Sequence, residues 1–225
     1  INLGGFCGVY DWWINPSELV IVSGDSGAGK SAFIQNLILH TSIRTCYYQM
    51  EMGEKLDRLR FNQMLFNKTK EELKVFLSGL SHNEAMQSQD KFDHILIKSE
   101  APSIGYLRKE IAAYEPKLIV IDTLDMIHSS RSTKNERDEN IVKELKKLAV
   151  EMSIIIIAVA HKTKSSSDTT SDYYSNTIQS VSGHGSIAQK ADKVVFVTTP
   201  AGQARSTRII MSGKARQDGE LKAKM

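Results

Sequence analysis

The sequence predicts an α/β domain: a mainly parallel twisted sheet, helices on both faces, and a β-hairpin near the C-terminus. Three observations predict it. A glycine-rich loop, Gly24-Asp25-Ser26-Gly27-Ala28-Gly29-Lys30-Ser31, stands between a short apolar run and a helical run. Two further apolar, β-branched runs, residues 118–121 and 154–160, read as strands buried on both sides. Segments with apolar residues on one helical face separate these runs.

The chain of 225 residues is long enough for one domain with a full core. Its 41% apolar and 24% charged content is ordinary for a globular protein. A net charge of +3 does not by itself announce nucleic acid. Cys7 and Cys46 form neither a metal-ligand spacing nor a disulfide framework, which points to a reducing compartment. No apolar run is long enough to span a bilayer and no signal peptide is visible, so a cytoplasmic protein without a membrane partner is expected. The chain opens at Ile1 rather than Met. We expect residues 1–225 to be one domain, a fragment of a longer protein.

In chain order, Trp12 and Trp13 are expected to pack in the core against the first strand, the rival being a docking surface. Residues 19–22 are that strand. The loop after it fits the phosphate-binding pattern G-x-x-x-x-G-K-[ST]. Its glycines let backbone N–H groups turn toward a triphosphate, and the helix over 31–40 points its positive end at the same anion. Gly24, Asp25, Ser26, Gly27, Ala28, Gly29, Lys30 and Ser31 are therefore the expected ATP-binding residues, with Lys30 reaching the β- and γ-phosphates and Ser31 binding Mg²⁺.

Residues 45–50 read as the second strand, with Glu51 at its carboxyl end, where α/β sheets place ligands. A carboxylate there can orient and polarise an attacking water; the alternative is a loop acid or a helix cap. A helix is predicted over 54–67. Two more follow, opened by the capping-box pairs Thr69/Glu72 and Ser81/Glu84, and they are expected to bury Leu73, Phe76 and Leu77. A short strand over 93–98 and a helix over 103–114, stopped before Pro116, come next.

Leu118-Ile119-Val120-Ile121-Asp122 is an apolar strand that delivers an acid, the pattern of a residue holding Mg²⁺. Asp125 reads as a cap or a surface acid. Residues 129–140 are expected as a loop and 139–151 as a helix burying Ile141, Val142, Leu145 and Leu148. Lys143, Lys146 and Lys147 read as a solvated face, with a nucleic-acid patch as the rival. The strand over 154–160 ends at His161, placed to sense a γ-phosphate; a core or capping histidine is the alternative. Residues 162–182 are polar and Ser/Thr-rich, and order resumes over 181–191. Strands are predicted over 194–199 and 208–211, and residues 213–219 as a polar turn carrying Lys214 and Arg216.

With these motifs in hand, the pattern resembles the RecA-like P-loop NTPase domain of hexameric replicative helicases of the DnaB type, over nearly the whole chain. Gln49-Met50-Glu51-Met52 followed by an amphipathic helix is similar to the family's catalytic-glutamate motif. Leu118-Ile119-Val120-Ile121-Asp122-Thr123-Leu124 is similar to its Walker B strand, and Gly185-Ser186-Ile187-Ala188-Gln189-Lys190-Ala191-Asp192 to a stretch beside its DNA-binding loop. Lys214-Ala215-Arg216 followed by Gly219 resembles its Lys-x-Arg hairpin. Three features depart from the bacterial pattern and suit a phage or mobile-element branch. His161 stands where Gln is usual, Ser182 and Gly183 replace an Arg-Glu pair, and the loop after His161 is rich in Ser and Thr.

The resemblance implies an ATP-dependent DNA helicase that moves on single-stranded DNA and unwinds duplex during replication. It implies a homo-oligomer, a hexameric ring, with ATP and Mg²⁺ between subunits and primase or a helicase loader as a partner. Lys30, Ser31 and Asp122 hold phosphates and metal, Glu51 positions water, and Lys214 and Arg216 enter the neighbour's site. His161 couples the γ-phosphate to DNA loops over residues 162–186, where Lys162, Lys164, His184, Gly185 and Ser186 are the expected contacts. The competing readings are a RecA-like recombinase or DNA-stimulated ATPase, a plasmid-replication helicase, and a protein in which ATP only switches DNA or partner binding.

Overall fold

A computed structural model describes residues 1–2, 13–81, 83–84, 90–127, 134–161, 186–199, 209–215 and 222–224. The chain runs β1 (Leu19–Gly24), α1 (Lys30–Thr41), β2 (Thr45–Gln49), α2 (Glu54–Phe66), α3 (Lys70–Ser78), β3 (Ile95–Lys98) and α4 (Ile104–Tyr114). It continues through β4 (Leu118–Asp122), a 3-10 turn (Leu124–Met126), α5 (Lys134–Met152), β5 (Ile155–His161), α6 (Ser186–Lys190), β6 (Lys193–Thr198), β7 (Ile209–Ala215) and β8 (Lys222–Lys224).

The eight strands form one sheet in the order β3-β2-β4-β5-β1-β6-β7-β8. Pairings from β3 through β6 are parallel, and β7 and β8 are antiparallel additions. The expected C-terminal hairpin is therefore present as β6–β7 and extends to β8. From β1 the chain moves to β2 on one side, and from β5 it crosses β1 to reach β6 on the other. That reversal opens a crevice at the carboxyl ends of the central strands.

Alternation along each strand splits the core in two. One face carries Val20, Val22, Tyr47, Val120, Ile157 and Val159 against Phe33, Ile34, Leu37 and Ile38 of α1 and Phe61 of α2. The other carries Leu19, Ile21, Ile119, Ile121, Ile156 and Ala158 against Leu107 and Ile111 of α4 and Ile141, Val142, Leu145 and Leu148 of α5. Helices thus cover both faces, as expected. Cys46 is a free, buried thiol in the second layer, and burial pushes its pKa up to about 12. None of the described helices is long and apolar enough to cross a membrane.

Several expectations are corrected. Trp13 is 46% exposed rather than in the core, and Trp12 lies outside the described residues. The approach to β1 is pinned by charge instead: Lys193 Nζ lies 2.7 and 2.9 Å from the two Glu18 carboxylate oxygens and also donates to the Trp13 carbonyl. Lys193 is wholly buried, and removing one member of such a pair typically costs about 3–5 kcal/mol. The α3 cap forms as expected, Thr69 and Glu72 bonding reciprocally, but this short surface helix buries Leu73 and leaves Leu77 exposed. Ser81 and Glu84 also bond to each other; much of the helix expected after them lies outside the described residues. Lys146 is not a purely solvated cation: it donates to Asp192 Oδ2 at 2.6 Å, and that oxygen also accepts from the Leu19 backbone N–H. The helix expected from 139 begins at Lys134, inside the expected loop. Residues 213–215, expected in a turn, continue β7, so Lys214 is a strand residue opposite Val194.

Candidate functional site

The site lies in that crevice, a cavity of about 560 Å³ lined by Ser26, Gly27, Gly29, Lys30, Ser31, Glu51, Asp122 and His161, among others. These residues are far apart in sequence and meet because each follows or ends a parallel strand. The glycine loop follows β1. Glu51 lies two residues beyond β2, Asp122 ends β4, and His161 ends β5 opposite Gly24. The register aligns Gln49 with Asp122, which sets the β2 and β4 carboxyl ends level.

The loop's geometry needs its glycines at two places. A Cβ on Gly24 would sit 2.2 Å from the Val197 carbonyl oxygen, so only glycine lets β1 approach β6 there. Gly29 caps α1 with φ 92°, in the left-handed region that glycine reaches without a Cβ clash. Lys30 is held over the loop by bonds from Nζ to the Gly24 and Asp25 carbonyls, both 2.9 Å. Its pKa is lowered by burial, against the pull of Asp122, Asp25 and Glu51.

Asp122 is 1% exposed, and burial raises its pKa. Hydrogen bonds from the Ser31 and Tyr47 hydroxyls oppose that rise, and the Glu51 charge reinforces it. A buried carboxylate beside a serine hydroxyl, next to a second acid, is a donor set that suits a hard divalent cation. The Asp122–Thr123 peptide is cis. Asp125, beyond it, accepts from the Thr123 hydroxyl and belongs to the turn.

Glu51 is exposed at the cavity mouth, and its backbone is fixed. The buried Gln49 Oε1 accepts from the Glu51 N–H at 2.7 Å and the Met52 N–H at 2.9 Å. Gln49 thus builds the turn that presents Glu51. The sequence motif contained Gln49 without indicating that job.

Gly24, Asp25 and Ala28 belong to the loop but do not line the cavity. Lys162, Lys164, His184, Gly185 and Arg216 lie outside the described residues. Ser186 opens α6, with its side chain outside the described set. Lys214 is aligned with Val194, near the start of β6 and away from the carboxyl ends where the cavity lies.

Sequence reasoning missed one wall. Arg60, Gln63, Met64 and Asn67 also line the cavity, at i, i+3, i+4 and i+7 along α2 and the residue after it. That spacing is a helical stripe and was readable as one, although nothing in it said which partner it faced. It also missed the floor. Gln35, Tyr47 and Asp57 are fully buried polar residues. Gln35 Nε2 donates to Asp57 Oδ1 at 2.8 Å.

Burial pushes the Asp57 pKa up to about 6; Arg60 and the Gln35 bond act against this, and the Asp122 charge acts with it. A carboxyl with a raised folded-state pKa contributes stability that is complete below its unfolded pKa and lost as pH rises through about 6. At pH 7.5 its ionised form costs roughly 3 kcal/mol. Asp57→Asn, which cannot ionise, should therefore melt about 6–12 °C higher at pH 7.5, with the gap narrowing as the pH is lowered toward 4.5. Thermal melts of both proteins across that range check it; a parallel shift at every pH would mean the gain has another source.

A family model, "DnaB-like helicase C terminal domain", matches residues 13–222. Two solved structures share the fold. One, described as the ATPase domain of its protein, superposes with a TM-score of 0.80 at 16% identity, over 94% of this chain and 81% of that one. The other, "The Structure Of A DnaB-Like Replicative Helicase And Its Interactions With Primase", gives 0.78 at 15% identity, over 93% of this chain and 55% of that one. No curated protein matches the sequence.

Proposed function

The chain belongs to the DnaB-like helicase C-terminal domain family, and we propose that it is the ATP-hydrolysing motor of a ring-forming helicase that moves on single-stranded DNA and unwinds duplex during replication. The observation that carries this reading is the convergence of Lys30, Ser31, Glu51, Asp122 and His161 on one cavity at the carboxyl ends of four strands.

In this reading the loop amides and Lys30 take the β- and γ-phosphates of ATP. Ser31 and Asp122 would hold Mg²⁺, which would supply positive charge to offset that of the phosphate oxygens. The fit is physical: Asp122 is buried where its negative charge is disfavoured, and a cation there would relieve that. Glu51 takes a hydrogen bond from the attacking water and turns its lone pair toward the γ-phosphorus. His161 touches the phosphate end and begins the segment, residues 162–186, that we propose contacts DNA through Lys162, Lys164, His184, Gly185 and Ser186. Lys214 and Arg216 complete the site of the next subunit, which makes an assembled homo-oligomer, a hexamer in this reading, the working form. One of the structural neighbours is described with its primase, and a primase is the partner we propose for the ring.

The test uses purified protein, ATP, Mg²⁺ and a forked duplex with single-stranded arms. Single-stranded DNA should raise ATP turnover, the duplex should be separated, and electron micrographs should show closed rings. DNA-indifferent slow turnover without strand separation would make ATP a switch for binding. Filaments along the DNA would make the protein a recombinase.

A further inference from the structure

Beneath the cavity, a chain of buried polar side chains joins α2 to the acid of β4. Asp57, Gln35 and Tyr47 are each wholly buried and come from three different elements. Asp57 Oδ1 accepts from Gln35 Nε2 at 2.8 Å. The same Gln35 Nε2 also donates to the Tyr47 hydroxyl oxygen, at 3.4 Å, and the Tyr47 hydroxyl in turn donates to Asp122 Oδ2 at 3.5 Å. Ser31 holds the same carboxylate from the cavity side. Asp122 is thus gripped from above by a residue of the glycine loop and from below by the end of this chain.

Two buried atoms in the chain have no hydrogen-bond partner, Gln35 Oε1 and Asp57 Oδ2. They belong to the same acid–amide pair. A carboxyl group facing a carboxamide closes as a ring when the acid carries its proton: Oδ1 accepts from Nε2–H, and Oδ2–H donates to Oε1. An asparagine in place of Asp57 offers the same acceptor and a permanent donor. Burying such groups costs free energy unless they are paired, so a chain of them under an apolar sheet face calls for a role.

We propose that Asp57 is a positioning residue: by fixing the Gln35 amide it holds the Tyr47 hydroxyl on Asp122 Oδ2 and so orients the Asp122 carboxylate toward the cavity. Asp57 acts through Gln35 and Tyr47, and touches neither nucleotide nor metal. The inference rests on the reading of Asp122 as a residue of a Mg²⁺–ATP site.

The experiment measures, in the assembled protein, the Mg²⁺ concentration that half-saturates equilibrium binding of a fluorescent ATP analogue, and beside it the concentration that half-saturates turnover at saturating ATP. Losing one hydrogen bond in the chain is worth about a two- to tenfold rise in each concentration. Tyr47→Phe and Asp57→Leu should each show it, and the double variant should be no worse than the more affected single one, because both cut the same chain. Asp57→Asn should stay near the wild-type value. Unchanged Mg²⁺ dependence in a folded Asp57→Leu or in Tyr47→Phe overturns the proposal, as does an Asp57→Asn protein impaired like the leucine variant. If Asp57→Leu does not fold, Tyr47→Phe decides, since it removes a single oxygen. A wild-type protein without Mg²⁺-dependent turnover would instead remove the nucleotide reading itself, and this inference with it.

Discussion

A Glu51→Gln protein is expected to bind ATP at close to the wild-type affinity and to hydrolyse it at least about a hundredfold more slowly. The substitution keeps the shape of the side chain and removes only its charge. The backbone that carries it does not depend on that charge: Gln49 Oε1 holds the N–H groups of both Glu51 and Met52. Lys30 and the glycine loop, which we assign to the phosphates, are untouched by the change. What goes is the group that accepts a proton from, or orients, the attacking water, and such a group typically contributes roughly 10²–10⁴-fold. Equilibrium binding of a fluorescent ATP analogue and steady-state phosphate release separate the two effects. Normal turnover in this variant would place the water-orienting charge elsewhere, and the exposed Glu51 would then be a loop acid at the cavity mouth.

What was legible in the sequence was whatever a short stretch decides for itself. Runs of five to seven mostly β-branched residues announced β4 and β5, and their polar last residues, Asp122 and His161, marked the carboxyl edge of the sheet. The glycine loop announced its own strand and helix. Caps were equally local: Thr69 and Ser103 start α3 and α4 because their hydroxyls accept the orphan N–H groups at Glu72 and Tyr106. What stayed hidden depends on partners brought from a distance. Lys146 finds Asp192 and Lys193 finds Glu18 across 46 and 175 positions, so their charges read as solvated or unplaced. Gln35 and Asp57 sit in helices as ordinary polar residues would, and nothing local says that α1 and α2 turn them toward each other. The start of α5 is polar, yet Asp138 there is buried and paired with Arg137, which also donates to the Asp125 carbonyl. Tertiary contacts extend that helix where composition suggested a loop.

Whether the ATP site is shared between subunits turns on Arg216. Ala215 ends β7 opposite Lys193, and Lys193 is aligned with Val20 near the start of β1. The glycine loop leaves from the other end of β1, four residues further on, at about 3.3 Å per residue. β7 therefore ends, at Ala215, on the side of the sheet opposite the P-loop. We propose that Arg216, the next residue in sequence, serves a neighbour; the planar, permanently charged fork of an arginine suits phosphate oxygens. Arg216→Ala subunits should bind ATP and hydrolyse it on the order of a thousandfold more slowly. Lys30→Ala subunits should fail because the phosphates lose their cation. Mixed together, the two inactive proteins form some interfaces in which an intact P-loop faces an intact Arg216, and those interfaces should hydrolyse ATP. Activity that returns with the statistics of random mixing, peaking near equal proportions, is the expected result. Activity that stays at background while mass measurements show mixed assemblies would mean that Arg216 serves its own subunit or takes no part in hydrolysis.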